Sequence, residues 1–287
     1  YGAAVKSSEE IISDPNIDAV LIATSTDTHA EFIEKASFVG KSVFCEKPVD
    51  LSLSRAKECL NKVSFKNNPI MIGFNRRFDP NFAQLKRSLD DNEIGKSELL
   101  TITSFDPSPP PVSYVKTSGG LYRDMMIHDF DLSNFIMDEL PVTISAVGHS
   151  LISPEIGAAG DVDTAVVTMI YADGKIAVIK NSRRAAYGYD QRIEILGSEG
   201  LLQAENIIEN SVVKSTEAGV LSAKPKYFFL ERYMSAYKAE WDAFIKSIKE
   251  NTTVPVTLED GVAALAMAEA ATLSQSSGKS IQLKEVL

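Results

Sequence analysis

"KSVFCEKP", Lys41 to Pro48, is the stretch on which the fold turns. Val43, Phe44 and Cys45 make a short apolar run that a charged pair and a proline close. A run of that length reads as a strand inside a sheet. "DAVLIAT" (Asp18 to Thr24) before it reads as a strand buried on both faces, and "PIMIGF" (Pro69 to Phe74) after it as another. Helical patterns lie between them, over Thr28 to Val39 with Gly40 ending it, and over Leu51 to Val63 with Ser52 or Ser54 near the start. A further helix is predicted over Asn81 to Leu89. Upstream, Ser7 and Glu10 at capping-box spacing open a short helix that stops at Asp14-Pro15. Tyr1-Gly2 reads as the tail of another helix, with glycine as its cap. Strands alternating with such helices indicate a parallel sheet covered on both faces.

After Gly95 the pattern changes. "KSELLTITSFD" is strand-like, Pro107 to Pro111 forms a stiff loop, and "GGLYRDMMIHDFD" (Gly119 to Asp131) is helical. The strands "TISAVGHS", "TAVVTMIYADGKIAVIKNS" and "QRIEILGSEGLLQAE" follow. Ala172 to Lys175 and Gly197 to Gly200 read as hairpin turns in which glycine takes the positive φ. Glu231 to Ile248 and Leu258 to Ser274 close the chain as amphipathic helices. The expected organisation is an α/β domain over residues 1–96 and an α+β domain over 97–287 with a large, mostly antiparallel sheet.

The 287 residues carry a net charge of −10 and no lysine- or arginine-rich run, which argues against nucleic acid and anionic membranes as partners. No apolar run reaches the roughly 18 residues of a membrane span, and no signal-peptide pattern is read. Cys45 and Cys59 lack CxxC spacing and read as free thiols, which fits a reducing cytoplasm.

On a helix, Asp124, His128, Asp131 and Phe135 share one face. A carboxylate one turn from a histidine can hold the ring's tautomer and support its protonated form, which suits acid–base work near neutral pH. By itself the pair favours a plainer reading: a hydrogen-bonded histidine at a domain interface, with Asp129 and Asp131 solvated. No His or Cys cluster offers a metal site. Lys47 changes the balance, because it stands just past the carboxyl end of a buried strand, where open α/β sheets bind ligands. Pro48 restricts its backbone. "ATSTDTH" (Ala23 to His29) leaves the preceding strand at the same edge, and His29 there caps or packs rather than reacts. "GFNRRFDP" (Gly73 to Pro80) supplies Arg76 and Arg77.

Together, in this order, these motifs resemble the Gfo/Idh/MocA oxidoreductases. The matching segments are ATxxxxH, CEKP, GFNRRFDP, SGGLYRDMMIHDFD, RRAAYGYDQRIEILGSEG and RYMSAYKAEWDAF, and the resemblance covers the whole chain. It implies a Rossmann domain binding NAD, with NADP left open, and a second domain whose sheet backs the substrate site. It implies hydride transfer from a secondary hydroxyl of a cyclitol or sugar, myo-inositol first among the substrates. Carried over by motif, His128 is the general base, Asp124 orients it and Lys47 polarises the reacting oxygen. Thr24, Ser25, Thr26, His29, Glu46, Lys47 and Arg76 are the expected cofactor contacts. Asp106 and Tyr187 (or Tyr189) join Lys47, Asp124 and His128 as substrate contacts. A homodimer or homotetramer through the C-terminal sheet is expected.

One motif departs from the family. The G-x-G-x-x-[GA] loop, which with the next helix end meets the pyrophosphate, is absent from the sequence. The expectation is that the first β-α-β unit lies upstream of Tyr1 and that the strand at Asp18 pairs with it. The rival reading is a catalytically silent sugar or dinucleotide sensor, against which Lys47, Asp124 and His128 argue, since a sensor needs no base.

Overall fold

The computed structural model describes residues 2–66 and 68–287. The chain divides into two compact units, Tyr1–Phe74 with Ala239–Leu265, and Asn75–Lys238 with Ala266–Leu287. The helix end read at Tyr1-Gly2 falls partly outside the described residues; Gly2 itself has φ 71°.

In the first unit, α1 (Ser8–Ser13) starts on the expected capping box, with the Glu10 amide donating to Ser7 Oγ at 3.2 Å and the Ser7 amide to Glu10 Oε2 at 2.7 Å. Then β1 (Ala19–Ile22), α2 (His29–Phe38), β2 (Ser42–Glu46), α3 (Leu53–Val63) and β3 (Ile70–Gly73) alternate, and the strands pair in parallel in the order β1-β2-β3. The central β2 is buried from Ser42 to Cys45, and the Phe44 ring meets Trp241 and Phe244 edge-on at 5.9 and 5.6 Å. The strand β1 departs from expectation. Only Ile22 is buried and Leu21 is 54% exposed, because β1 has a single strand neighbour among the described residues. The register Ile22↔Cys45 and Glu46↔Gly73 aligns the strand ends, so the loops after all three leave from one edge.

The second unit opens with α4 (Pro80–Asp90), capped by Asp79, whose Oδ1 accepts the Asn81 and Phe82 amides at 3.0 and 3.2 Å. Asp79 also pairs with Arg232, both fully buried. This lock and the burial of Phe82 and Leu85 place α4 with the large sheet, so the division falls ahead of the Gly95 expected from the pattern change. Next come β4 (Ser97–Phe105), α5 (Val112–Ser118), a π turn at Leu121–Met125, α6 (Ile127–Met137), β5 (Thr143–His149) and α7 (Pro154–Ala158). They are followed by β6 (Thr164–Ile170), β7 (Ile176–Ser182), β8 (Asp190–Gly197), β9 (Gly200–Ala204) and an exposed hairpin, β10 (Val213–Thr216) with β11 (Gly219–Ser222), that the pattern did not announce. The helices α8 (Phe229–Glu250) and α9 (Leu258–Ser277) and the short β12 (Ile281–Gln282) end the chain.

Seven strands form one sheet in the order β12-β5-β6-β7-β4-β8-β9. Every pair is antiparallel except β4 with β7. Alternation along each strand buries one face, with Leu100, Ile102, Val167, Ile179 and Ile195 inside. On the other face the register sets Ile170, Ile176, Leu99, Leu196 and Leu201 side by side across five strands, each between 38% and 47% exposed. The turn at Gly174 has the expected positive φ of 91°. The Gly197–Gly200 turn uses glycine differently: neither of its glycines has a positive φ, and a Cβ on Gly197 would lie 2.3 Å from the Ile94 carbonyl oxygen.

Candidate active site

In the first unit the candidate residues gather where β1, β2 and β3 end. Thr24 and Ser25 are exposed, and Thr26 is half-buried. Their loop is closed by a Thr24 Oγ1 to Thr28 Oγ1 bond of 2.6 Å and by Thr28 Oγ1 donating to the Ser25 carbonyl at 2.7 Å. Glu46 and Lys47 are part-buried at the end of β2. Gly73 on the neighbouring strand allows the Glu46 carboxylate to lie close, since a Cβ there would stand 3.0 Å from Oε2. Burial pushes the Glu46 carboxyl above its ordinary range, while Lys47 and His29 act in the opposite sense. Exposed hydroxyls with an ammonium and a carboxylate at the carboxyl edge of a parallel sheet suit a dinucleotide. His29 is the exception. It is buried, and its ring nitrogens face the chain, Nδ1 2.8 Å from the Pro48 carbonyl oxygen and Nε2 3.1 Å from that of Thr24. Its side chain ties the Thr24 loop to the chain at Pro48.

In the second unit, Gly119 and Gly120 (φ 89° and 79°) turn the chain after α5. A Cβ on Gly120 would fall 2.6 Å from Asp161 Oδ1, whose carboxylate accepts the Leu121 amide at 3.0 and 3.1 Å. The stretch from Gly119 to Asp131 is therefore not one α-helix. A π turn precedes α6, with the Met126 amide bonded to the Leu121 carbonyl, and such turns recur at functional sites. Asp124 sits in that turn and His128, part-buried, in the first turn of α6.

Asp124 is held from two sides. Tyr114 Oη donates to its Oδ1 at 2.9 Å, and Arg183 Nη2 to its Oδ2 at 3.2 Å. The other Arg183 amino group stands 3.6 Å from Asp106 Oδ2. Burial raises the Asp106 carboxyl from 3.8 to about 6, against the opposing pull of Arg183. Backbone bonds fix Asp106 in place: its amide donates to the Ser182 carbonyl at 2.8 Å, and its carbonyl accepts the Ala185 amide at 2.7 Å. The sequence reading missed Tyr114 and Arg183. For Arg183 the available signal was a guanidinium in a strand-to-loop position beside predicted site tyrosines, and for Tyr114 there was none.

The face expected to join Asp124, His128, Asp131 and Phe135 divides. Asp131 is buried and takes both Nε (2.9 Å) and Nη2 (2.5 Å) of Arg77, whose guanidinium also lies 5.4 Å from the Phe135 ring centre. Asp129 is likewise buried, contrary to the solvated position first considered. It pairs with Arg76 and accepts Ser104 Oγ at 2.6 Å and Asn181 Nδ2 at 2.8 Å. Arg76, expected at the cofactor, is thus a buried strut of the second unit, 3% exposed. A buried guanidinium needs a carboxylate, and Asp129 is in reach. Tyr187 is half exposed and donates to Asp190, while Tyr189 is buried edge-on against Tyr233 at 6.0 Å. No group of His, Cys, Asp and Glu among the described residues could hold a metal ion.

Comparison with known proteins agrees with these two halves. The model of the oxidoreductase family, NAD-binding Rossmann fold, matches residues 2–74, and that of its C-terminal alpha/beta domain matches residues 86–283. The chain is 46% identical over 283 residues to inositol 2-dehydrogenase of Rhizobium meliloti, covering 99% of this chain and 86% of the relative. It is 45% identical to myo-inositol 2-dehydrogenase of Thermotoga maritima over 284 residues, covering 99% and 85%. The crystal structure of scyllo-inositol dehydrogenase from Lactobacillus casei with bound NAD(H) and scyllo-inositol superposes with a TM-score of 0.90 at 30% identity, covering 97% of this chain and 84% of that one. The order of motifs, the two sheets and these matches make the chain a member of the Gfo/Idh/MocA oxidoreductase family.

Proposed function

We propose that this protein is a dehydrogenase that uses NAD, in preference to NADP, to oxidise a secondary hydroxyl of a cyclitol, converting myo-inositol to the 2-keto inositol. The observation that carries the reading is the Asp124 carboxylate, fixed by Tyr114 and Arg183 one turn before His128, in a chain nearly half identical to inositol dehydrogenases. The structures of relatives bound to NAD(H) and an inositol support the cofactor and the substrate class.

NAD, when bound, supplies the hydride acceptor. Thr24, Ser25, Thr26, Glu46 and Lys47 are the residues of this chain that would hold it. The His128 imidazole takes the hydroxyl proton as the C–H bond breaks and the C=O bond forms. Asp124 keeps the ring oriented and balances its charge once protonated. The Lys47 ammonium stabilises the negative charge that builds on the reacting oxygen. Asp106 and Tyr187 bind the other hydroxyls.

The exposed row Leu99, Ile170, Ile176, Leu196 and Leu201 supports assembly into a homodimer or larger oligomer through this sheet face, because a contiguous apolar strip on a sheet face marks an interface. No helix of the described residues is long and apolar enough to cross a membrane, and a cytoplasmic location belongs to the same reading. Assay of the purified protein with myo-inositol and either NAD or NADP, following reduced nicotinamide, tests the proposal. Turnover with NAD upholds it. Binding of both ligands without turnover would make the protein a sensor.

A further inference from the structure

His128 stands between two carboxylates of its own segment, Asp124 one turn before it and Asp129 directly after it, and β7 reaches both. Arg183, just past the end of β7, donates to Asp124 at 3.2 Å, and Asn181 within β7 donates to Asp129 at 2.8 Å. The anchor of Asp129 is the fuller one. Its carboxylate is wholly buried and takes donors from separate segments: Arg76 of the turn Asn75–Phe78, Ser104 of β4 at 2.6 Å, and Asn181. Arg76 Nη1 also donates to Ser104 Oγ at 3.0 Å, and the register sets Ser104 and Asn181 side by side on the buried face of the sheet. We propose that Asp129 is a positioning residue for the reaction: it fixes the rotation of the first turn of α6 about its axis, and so the direction in which His128 presents its ring to the substrate hydroxyl. This rests on the reading of His128 as the base given above.

The local structure calls for an anchor at this point. The π turn at Leu121–Met125 interrupts the α-helical ladder just ahead of α6, so holding Asp124 does not by itself set the rotation of the helix that follows. The neighbours of Asp129 in that helix, Ile127 and Phe130, are buried apolar side chains. Apolar burial has no direction, so it leaves a small rotation cheap. Charge-assisted hydrogen bonds are short and directional, and donors converging from separate segments leave the carboxylate one position. A buried ion pair also adds little net stability over apolar residues of the same volume. What Asp129 supplies beyond an apolar residue is therefore direction. Because it adjoins His128 in the chain, a rotation that moves one moves the other, and a shift of about 1 Å in a reacting group can cost on the order of a hundredfold in rate.

Asp129→Asn keeps the shape of the side chain but turns an NH2 group, in place of an oxygen, toward the Asn181 amide. Its kcat should fall roughly ten- to a hundredfold, with the KM for NAD little changed. The same substitution in a His128→Ala protein should bring almost no further loss, because its effect passes through the imidazole. An unaltered kcat in Asp129→Asn would overturn the proposal. So would an equal loss in both backgrounds, which is what a general loosening of the fold would give. If Asp129→Asn does not fold, Asn181→Leu removes one donor and leaves the pair with Arg76 in place. Its kcat should then fall in the parent and not in the His128→Ala protein, and the opposite pattern would be equally fatal. Near-normal turnover of His128→Ala alone would remove the base, and the positioning role with it. The other adverse outcomes strike the positioning role and leave the base standing, so the two failures are distinguishable.

Discussion

Arg183 donates from Nη2 to Oδ2 of Asp124 at 3.2 Å, and its guanidinium is buried. The Asp124 carboxylate, proposed above to orient His128, is therefore held by a fixed cation. Replacing Arg183 with leucine would leave Asp124 and Asp106 without that cation. The expected loss in kcat/KM is on the order of ten- to a hundredfold, the usual cost of a charge-assisted bond. Steady-state kinetics on the folded variant measures it.

His128 and Lys47 should fail in different ways. His128→Ala should lower turnover by about a hundredfold or more, the range expected when a general base is removed. Lys47→Met should abolish polyol oxidation with NAD binding largely intact, because the ammonium acts on the reacting oxygen. Near-normal turnover in the histidine variant would return His128 to a structural role. Lost cofactor affinity with turnover retained at saturation would make Lys47 a cofactor ligand only.

Asp106 gives the protein a pH dependence with a definite sign. Its carboxyl is raised from 3.8 to about 6 in the fold, so folding favours its protonated form. The resulting stability is present below the unfolded value and is lost as the pH rises through about 6. The size is on the order of 3 kcal/mol. Asp106→Asn should flatten this part of the stability profile, measured by urea unfolding at a series of pH values. A profile identical to that of the parent would contradict the assignment.

The buried pair of Asp79 and Arg232 joins the cap of α4 to the first turns of α8 across 153 positions of sequence. Arg232→Ala should destabilise the protein by about 3–5 kcal/mol, the penalty for orphaning one member of a buried pair. Asp79 would keep its bonds to the Asn81 and Phe82 amides, so α4 itself should persist by circular dichroism.

The apolar row on the open sheet face can be tested without touching the chemistry. Leu196→Glu places a carboxylate in the middle of the row, between Leu99 and Leu201. Light scattering should then show a smaller assembly than the parent protein, at an unchanged thermal midpoint for the subunit. Equal masses for the two proteins would exclude this face as the interface.

Much of the proposed site stands out in the sequence. Lys47 does so because a buried strand ends at Glu46, one residue before it. Asp124 and His128 do so because a base and its orienting carboxylate would need that spacing. What could not be read depends on distant pairing. Arg183 comes beside Asp106 because β7 runs parallel to β4, with Ser182 opposite Phe105, an arrangement that no local pattern encodes. The π turn was also hidden, since the apolar residues around it continue at helical intervals. Asp129 and Asp131 looked like solvated acids until the burial of Arg76 and the part-burial of Arg77 called for partners for two guanidinium groups. That pairing had a signal in principle: adjacent arginines after a buried strand, and two acids inside an apolar helix.

The chain leaves the first unit at Phe74, returns to it at Ala239 within α8, and leaves it again after Leu265 within α9. Neither unit is thus a contiguous cassette. A fragment ending at Phe74 would strip Phe44 of Trp241 and Phe244, the rings against which it is seated. It would also take away Val256, whose carbonyl accepts the Ile72 amide at 3.2 Å. Exchange of the nucleotide half with that of a relative therefore needs three splice points, two of them inside helices. A recombinant joined only at residue 74 would seat one parent's strand against the other parent's helix, and the match of those two surfaces would decide whether the hybrid folds.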